Sequence, residues 1–321
     1  MPTNGSRTPR GRAPRLFRGG AIALVLAGIA LGALSLRQDL PACTRTRGVP
    51  TQGLYVGAAV GGNDDPAAFE AAVGRLALRR TYWAAQDLEG ALVAARSDLQ
   101  AGRLPWLSFK FPLPWQRMAR GDGDEWAKQV AAGVRDLPGP AWVAFHHEPE
   151  GDGDVQQWRA AQERVGPILR EVAPNAAYTV VLTGWNQFHG PEEFGLDRLW
   201  PHTTVDVAGF DVYDEPELAA NSARDRMDDY LHRISAWARQ ANVSWALAET
   251  GHDRSAHGPD QGWITWLGDR VRGHGGVGLV YFNSDVNSRL DWRLDQPQEL
   301  ADFATALRDS QRPPASCPSA R

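Results

Sequence analysis

Eight short apolar runs, each followed by a stretch with helical spacing, constrain this chain of 321 residues more than any other feature. The runs are 53–60, 79–84, 104–110, 140–145, 178–183, 205–213, 244–248 and 277–283. Each is rich in Val, Leu, Ala and aromatic residues and is bounded by Gly, Pro or Asp, which reads as a buried strand. Between them lie helical patterns with start signals. Asp65-Pro66 places a capping carboxylate before a proline at the first helical position. Asp124 and Asp260 stand before later helices, Asp154 starts a long one to about 172, and further helices are expected up to about 78, at about 88–102, around 197–200, at 224–240 and near 298–307. A strict strand–helix alternation of this length predicts an α/β fold of one (β/α)8 TIM barrel, which needs ~250 residues. A doubly wound open sheet is the competing arrangement. It usually has fewer strands and a Gly-rich first turn, and neither G-x-G-x-x-G nor G-x-x-x-x-G-K-[ST] is present.

The flanks divide the rest. Residues 1–20 carry Arg7, Arg10, Arg12, Arg15 and Arg18, and 21–36 are apolar without charge. A basic stretch before an apolar one is an export segment. It is short for a spanning helix, which wants ~20 residues, so a cleaved signal and a retained anchor are both open. The basic flank orients the remainder outward. The expected location is therefore extracellular, either secreted or anchored to the outer face of the plasma membrane, with membrane contact only through this segment. Residues 37–52 read as a linker, 53–310 as the barrel and 311–321 as a loose, Pro- and Ser-rich tail. Cys43 and Cys317 flank the barrel, and an oxidising compartment favours a bridge between them. Leu40-Pro41-Ala42-Cys43 also resembles a lipidation site, which competes for Cys43. The formal net charge of -4 gives no reason to expect nucleic acid as a partner.

In a barrel, chemistry sits on the loops after the strands. Two strands end in glutamate there: His146-His147-Glu148-Pro149 after the fourth and Glu249-Thr250-Gly251 after the seventh. Cleaving an acetal needs a proton on the leaving oxygen and negative charge beside the developing oxocarbenium ion. Two facing carboxyls of unequal proton affinity supply both. A lone glutamate at a strand end is about as often a salt bridge or cap. A pair on strands four and seven is much less easily explained that way.

The His147-Glu148 motif, Gly209-Phe-Asp-Val-Tyr213 and Glu249-Thr250-Gly251 resemble family 26 glycoside hydrolases, a β-mannanase-like family of retaining barrel enzymes. The resemblance covers the chain from about residue 53 and rests on these three motifs. It implies Glu148 as acid/base and Glu249 as nucleophile. It also implies that Tyr213 hydrogen-bonds the nucleophile and that His147 contacts the sugar or positions the nucleophile. The family's aromatic platform after strand eight would fall to Tyr281 or, nine residues after Asn283, to Trp292. The activity implied is that of an endo-acting enzyme on a β-linked mannan- or glucan-type polysaccharide, needing no cofactor and expected to be a monomer. A carbohydrate-binding barrel without catalysis is the alternative.

Other residues after strands complete the candidates. Lys110, Asp211, Trp185 and Asn186 stand where they can bind substrate, Trp185 by stacking. His146 and His147 are adjacent and point apart on a strand, which argues against a shared metal, and no metal site is expected. Asp122-Gly-Asp124 and Asp152-Gly-Asp154 read as helix caps, not calcium loops. Glu150 reads as a solvated loop charge.

Overall fold

The computed structural model describes residues 46–214, 222–254 and 262–314. The eight expected strands form one closed parallel barrel in sequence order. They are β1 (Tyr55–Val60), β2 (Leu78–Trp83), β3 (Leu104–Phe109), β4 (Ala141–Phe145), β5 (Ala176–Thr183), β6 (Val207–Asp211), β7 (Ser244–Glu249) and β8 (Gly278–Asn283). The main helices between them are α1 (Ala67–Val73), α2 (Leu88–Gln100) and α4 (Asp124–Arg135), with the short α3 (Trp115–Ala119) ahead of α4. Then come α5 (Val155–Val172), the short α6 (Gly184–Phe188) and α7 (Leu196–Leu199), α8 (Ala223–Ala241), α9 (Trp263–Gly273) and α10 (Pro297–Arg308). β1 pairs with β8 over six residues, from Tyr55↔Gly278 to Val60↔Asn283, and that pairing closes the ring.

Alternation along each strand sorts side chains into two sets. Outward residues pack under the helices in two clusters, with Phe109, Phe145 and Tyr178 on one side and Phe210, Tyr281 and Phe303 on the other. Inward residues fill the barrel. Trp106 and Trp142 meet edge-to-face at 5.0 Å in its centre. They fit because their neighbours are small, including Ala144, Ala246, Ala248 and Gly209. Trp106 donates its indole N–H to Thr179 Oγ1 at 2.9 Å, which satisfies the one polar atom it buries. The ring of Trp106 is the floor on which the polar residues of the mouth stand.

Several expectations shift. The first helix ends at Val73, and Leu78 opens β2, because the apolar pair Leu76-Ala77 leads into the strand. β6 stops at Asp211, so Tyr213 lies beyond it. Asp154 is the N-cap of α5 and accepts from Gln156 N–H. Asp124 is no cap: it is the first helical residue, after Gly123, and its carboxylate pairs with Arg164 of α5 at 2.6 Å. Two short helices, α3 and α6, were not anticipated, since neither is long enough to show a period. The ends of the barrel region are also tied down. Val49 packs on the barrel interior, Gln311 N–H bonds Leu54 C=O at 2.9 Å and Arg312 bonds Arg75 C=O at 2.7 Å. The linker and tail are thus docked where they are described. Residues 1–45, with the apolar segment 21–36 and Cys43, lie outside the described residues, as do Asp260 and Cys317. Among the described residues no helix is long and apolar enough to cross a membrane.

A very close approach in the ring lies between β1 and β2, where Gly57 faces Leu78. A methyl group on Gly57 would stand 1.7 Å from the Leu78 carbonyl oxygen, inside the backbone itself. Gly57→Ala should therefore cost about 3 kcal/mol or more in urea unfolding, or prevent folding. Gly273→Ala, at a position with open space around it, is the control and should change stability little.

Candidate active site

The mouth is built from inward residues at the last turn of β2, β3, β6, β7 and β8 and from the loop after β4. Arg80 is 1 % exposed and lies over the rings of Tyr82, at 5.0 Å, and Trp106, at 5.5 Å. Its Nη1 meets Asp211 Oδ1 at 2.8 Å and Glu249 Oε1 at 3.1 Å, and its Nε bonds Ser108 Oγ. Burial opposes the guanidinium charge, but Asp211, Tyr82 and Glu249 outweigh it and hold the proton more tightly than usual.

Glu249 points into the mouth because of a register shift. β6 and β7 pair Phe210 with Leu247 and then Asp211 with Glu249, so Ala248 is skipped. Strict alternation would turn Glu249 outward once Ala248 faces in. The bulge puts both inside, a re-aiming for which bulges are used beside functional sites. Three donors then converge on the carboxylate. Tyr82 O–H reaches Oε1 at 2.7 Å, Tyr213 O–H reaches Oε2 at 2.5 Å, and Arg80 shares Oε1. Burial, together with Glu249 itself, pushes both tyrosines well above the usual phenol range, so both keep their protons and donate. Three donors on two oxygens is a set for an ionised carboxylate, which accepts only.

Glu148 is reached through a strained turn. β4 ends at Phe145, and His146 and Glu148 both adopt positive φ, 47° and 50°, which non-glycine residues seldom do. Glu148 N–H bonds Val181 C=O on β5, and the side chain is carried over the mouth. Among the described residues no group hydrogen-bonds its carboxyl. Burial first, and the nearby Glu249 second, raise its pKa to about 7, against the pull of Arg80. Oxygens of Glu148, Asp211 and Glu249 lie within 4.8 Å of one another. One guanidinium cannot balance three charged carboxylates, and burial also drives Asp211 well up. The carboxyl without donors, Glu148, is where a proton resides, whereas Glu249 holds the charge.

The turn sends the two histidines apart. His147 stacks near Tyr82, at 5.5 Å, and burial keeps it neutral, while His146 turns outward to Trp115 and Phe111. They do not share a site. Arg80 balances one unit of the carboxylate cluster's charge from within the chain.

Three recesses open from Glu148. One of ≈ 520 Å³ runs past Tyr82, Trp83, Lys110 and His147. Another of ≈ 460 Å³ runs past Tyr213, Phe282, Arg289 and Trp292. A third of ≈ 310 Å³ is walled by Trp185, Asn186, Asp211 and Tyr213. Most sequence candidates therefore meet here: Lys110, His147, Glu148, Trp185, Asn186, Asp211, Tyr213, Glu249 and Trp292. Trp292, in the loop after β8, is 4 % exposed and lies against the Tyr213 ring at 4.8 Å. Lys110 is half-exposed and pairs loosely with Asp152 at 3.8 Å, so it is no inward structural bridge.

Two expectations are corrected. Tyr281 is 1 % exposed and packs on Phe303 of α10, outside the barrel. Alternation sends it outward and its neighbour Phe282 into the mouth. Glu150 is no solvated charge: it is largely enclosed, and burial raises its pKa to about 7. Arg80 and Tyr82 were missed. Their signal was a strand, Leu78-Arg-Arg-Thr-Tyr-Trp83, that buries two arginines, one of which, Arg79, pairs outward with Asp98.

No family model matches the sequence, and no curated protein matches it. Solved structures do resemble the fold. A GH26 β-mannanase from Bacteroides ovatus shares 17% identity and a TM-score of 0.60, over 86% of this chain and 92% of that one. The catalytic domain of a GH26 endo-β-1,4-mannanase from Bacillus sp. JAMB-750 shares 16% identity and a TM-score of 0.60, over 84% and 91%. Cel5A of Thermotoga maritima, in complex with a mannotriose substrate, shares 12% identity and a TM-score of 0.57, over 82% and 99%. At these identities the likeness is one of fold. The resemblance to family 26 carried by three motifs has a barrel of the same architecture beneath it.

Removing Arg80 would leave Asp211 and Glu249 buried without their cation. Arg80→Met should cost about 3–5 kcal/mol in denaturant unfolding. Adding Asp211→Asn should recover part of that loss, because it removes one of the stranded charges.

Proposed function

We propose that the protein is a retaining glycoside hydrolase that cleaves β-linked polysaccharide internally. The observation that carries this reading is the pair Glu148 and Glu249. Their oxygens lie within 4.8 Å, and their surroundings favour opposite protonation states. Double displacement uses carboxyls about 5–5.5 Å apart, whereas inversion needs about 6.5–9.5 Å to admit a water.

In this reading Glu148 protonates the glycosidic oxygen as Glu249 attacks the anomeric carbon. Tyr82 and Tyr213 hold the attacking carboxylate in line, and the exposed ring of Trp185 stacks on a pyranose ring. Forming the glycosyl ester removes the charge on Glu249. Arg80 keeps its ion pair with Asp211, and the repulsion that raised the Glu148 pKa is gone. Glu148, a carboxylate since it gave its proton to the leaving oxygen, stays ionised more easily and takes a proton from the water that opens the ester. The recesses on either side of the pair support internal cleavage of a polymer, since chain can leave in both directions. The solved neighbours, mannanases and a mannotriose complex among them, favour mannan-type substrates with β-glucan next. The basic and apolar N-terminal segment supports action outside the cytoplasm. A barrel that binds carbohydrate without cleaving it is the second reading. It leaves the strained turn that aims Glu148 without a purpose.

The tests separate these. Mannan or β-glucan should give new reducing ends with the β-anomer formed first by NMR. Glu249→Gln should lower kcat at least about a thousand-fold with the fold intact. Wild-type turnover by that variant, or an α-anomer first, would overturn the mechanism. Binding in affinity gels with no product would favour the second reading. kcat/KM should also fall as pH rises through about 7, since the raised pKa of Glu148 means its proton is held below that pH and lost above it.

A further inference from the structure

Glu150 occupies a place that neither the fold nor the two-carboxyl mechanism explains. The backbone pairing of β4 with β5 ends at Ala144↔Thr179. Beyond it, Glu148 N–H still reaches Val181 C=O at 3.0 Å. The next amide of β5 on the same side, Thr183 N–H, finds no backbone partner, because the chain has turned away at Pro149. Glu150 Oε1 takes that N–H at 3.1 Å, so a side-chain carboxylate extends the ladder past a proline. The same oxygen accepts from the amide of Gln187, on α6. α6 also carries Trp185 and Asn186, which wall one recess beside Glu148. Glu150 Oε2 is buried with no hydrogen-bond partner among the described residues.

We propose that Glu150 is a positioning residue for Glu148: it pins the acid-bearing turn to β5 and α6 and places a further carboxylate beside the acid. This rests on the reading of Glu148 as the acid. A residue holding only the turn would need an acceptor, and a glutamine would serve as well. A carboxylate adds negative charge two residues from the acid, in a half-buried place where that charge is less screened than on the open surface. The groups that face Glu148 are Glu249 on β7, Asp211 on β6 and Arg80 on β2, with Lys110 after β3 and Glu150 on its own loop. Glu249 and Glu150 favour the protonated acid, and Arg80 and Lys110 oppose it. Burial also lifts Glu150 to about 7, so it gains its charge in the range where Glu148 loses its proton. A charged Glu150 then adds to burial and Glu249, and Glu148 stays acidic to higher pH than it would without that carboxylate.

The experiment compares pH profiles of kcat/KM on one polysaccharide for the wild type, Glu150→Gln, Glu150→Ala and Glu148→Gln. The readout is the position of the alkaline limb. Glutamine keeps an oxygen for Thr183 and Gln187 but no charge, so its limb should move to lower pH by about half a unit or more. Glu150→Ala also loses the acceptor and should fall in kcat at every pH, with the shift superimposed. An alkaline limb that superimposes on the wild type in Glu150→Gln overturns the proposal. If Glu148→Gln, assayed on a dinitrophenyl glycoside whose leaving group needs no proton, keeps the wild-type limb, the acid assignment itself fails. That outcome is distinct from the first. Should Glu150→Gln not fold, carboxyl carbon NMR of the wild type serves. Glu150 titrating near the free value of about 4.3 overturns the proposal, and a coupled titration with Glu148 near neutrality supports it.

Discussion

A single buried guanidinium organises the mouth of this barrel. Arg80 is nearly solvent-free, yet it meets two carboxyls, at 2.8 and 3.1 Å, and a third lies within 4.8 Å of those two. A charge so placed cannot be satisfied by water, so its partners must be fixed by the chain. Asp211 and Glu249 take its charge, and the rings of Tyr82 and Trp106 take its face. The third carboxyl, Glu148, has no donor among the described residues, and burial and Glu249 raise its pKa. Unequal sharing of one cation thus gives two chemically identical side chains different surroundings.

The fold delivers that inequality through departures from regularity. Parallel strands with strict alternation would have pointed Glu249 at the helices, and the skipped Ala248 prevents this. A regular end to β4 would have carried Glu148 along the strand direction. Instead, two residues in the left-handed region and a proline turn it across the opening. Each departure is locally unfavourable and is held by neighbours: Val181 and Thr183 on one side, Tyr82 and Tyr213 on the other.

How much of this was legible in the sequence depends on the same physics. The barrel was readable because eight buried parallel strands must be nearly continuous apolar runs. Glu148 and Glu249 were readable because a charge ending such a run needs a reason. Tyr281 was misplaced because the platform was sought at the strand's end without counting alternation, which sends Phe282 inward. Arg80 and Tyr82 were overlooked because attention fell on loops, whereas they stand within a strand. Glu150 looked like an exposed loop acid because its burial depends on Thr183 and Gln187, more than thirty residues away, and no local pattern reports such a contact.

The seam between β1 and β8 has a consequence for how the molecule comes into being. The first strand finds its second neighbour only in the last one, and the stretch after α10 then clasps the start of β1 through Gln311 and Ser310. A ribosome delivers these partners at opposite ends of synthesis, so most of the polypeptide is made before the ring can shut. Until then the aromatic interior has one open flank. A chain of this design stays threadable for nearly the whole of its manufacture and becomes resistant to pulling only at its final strand.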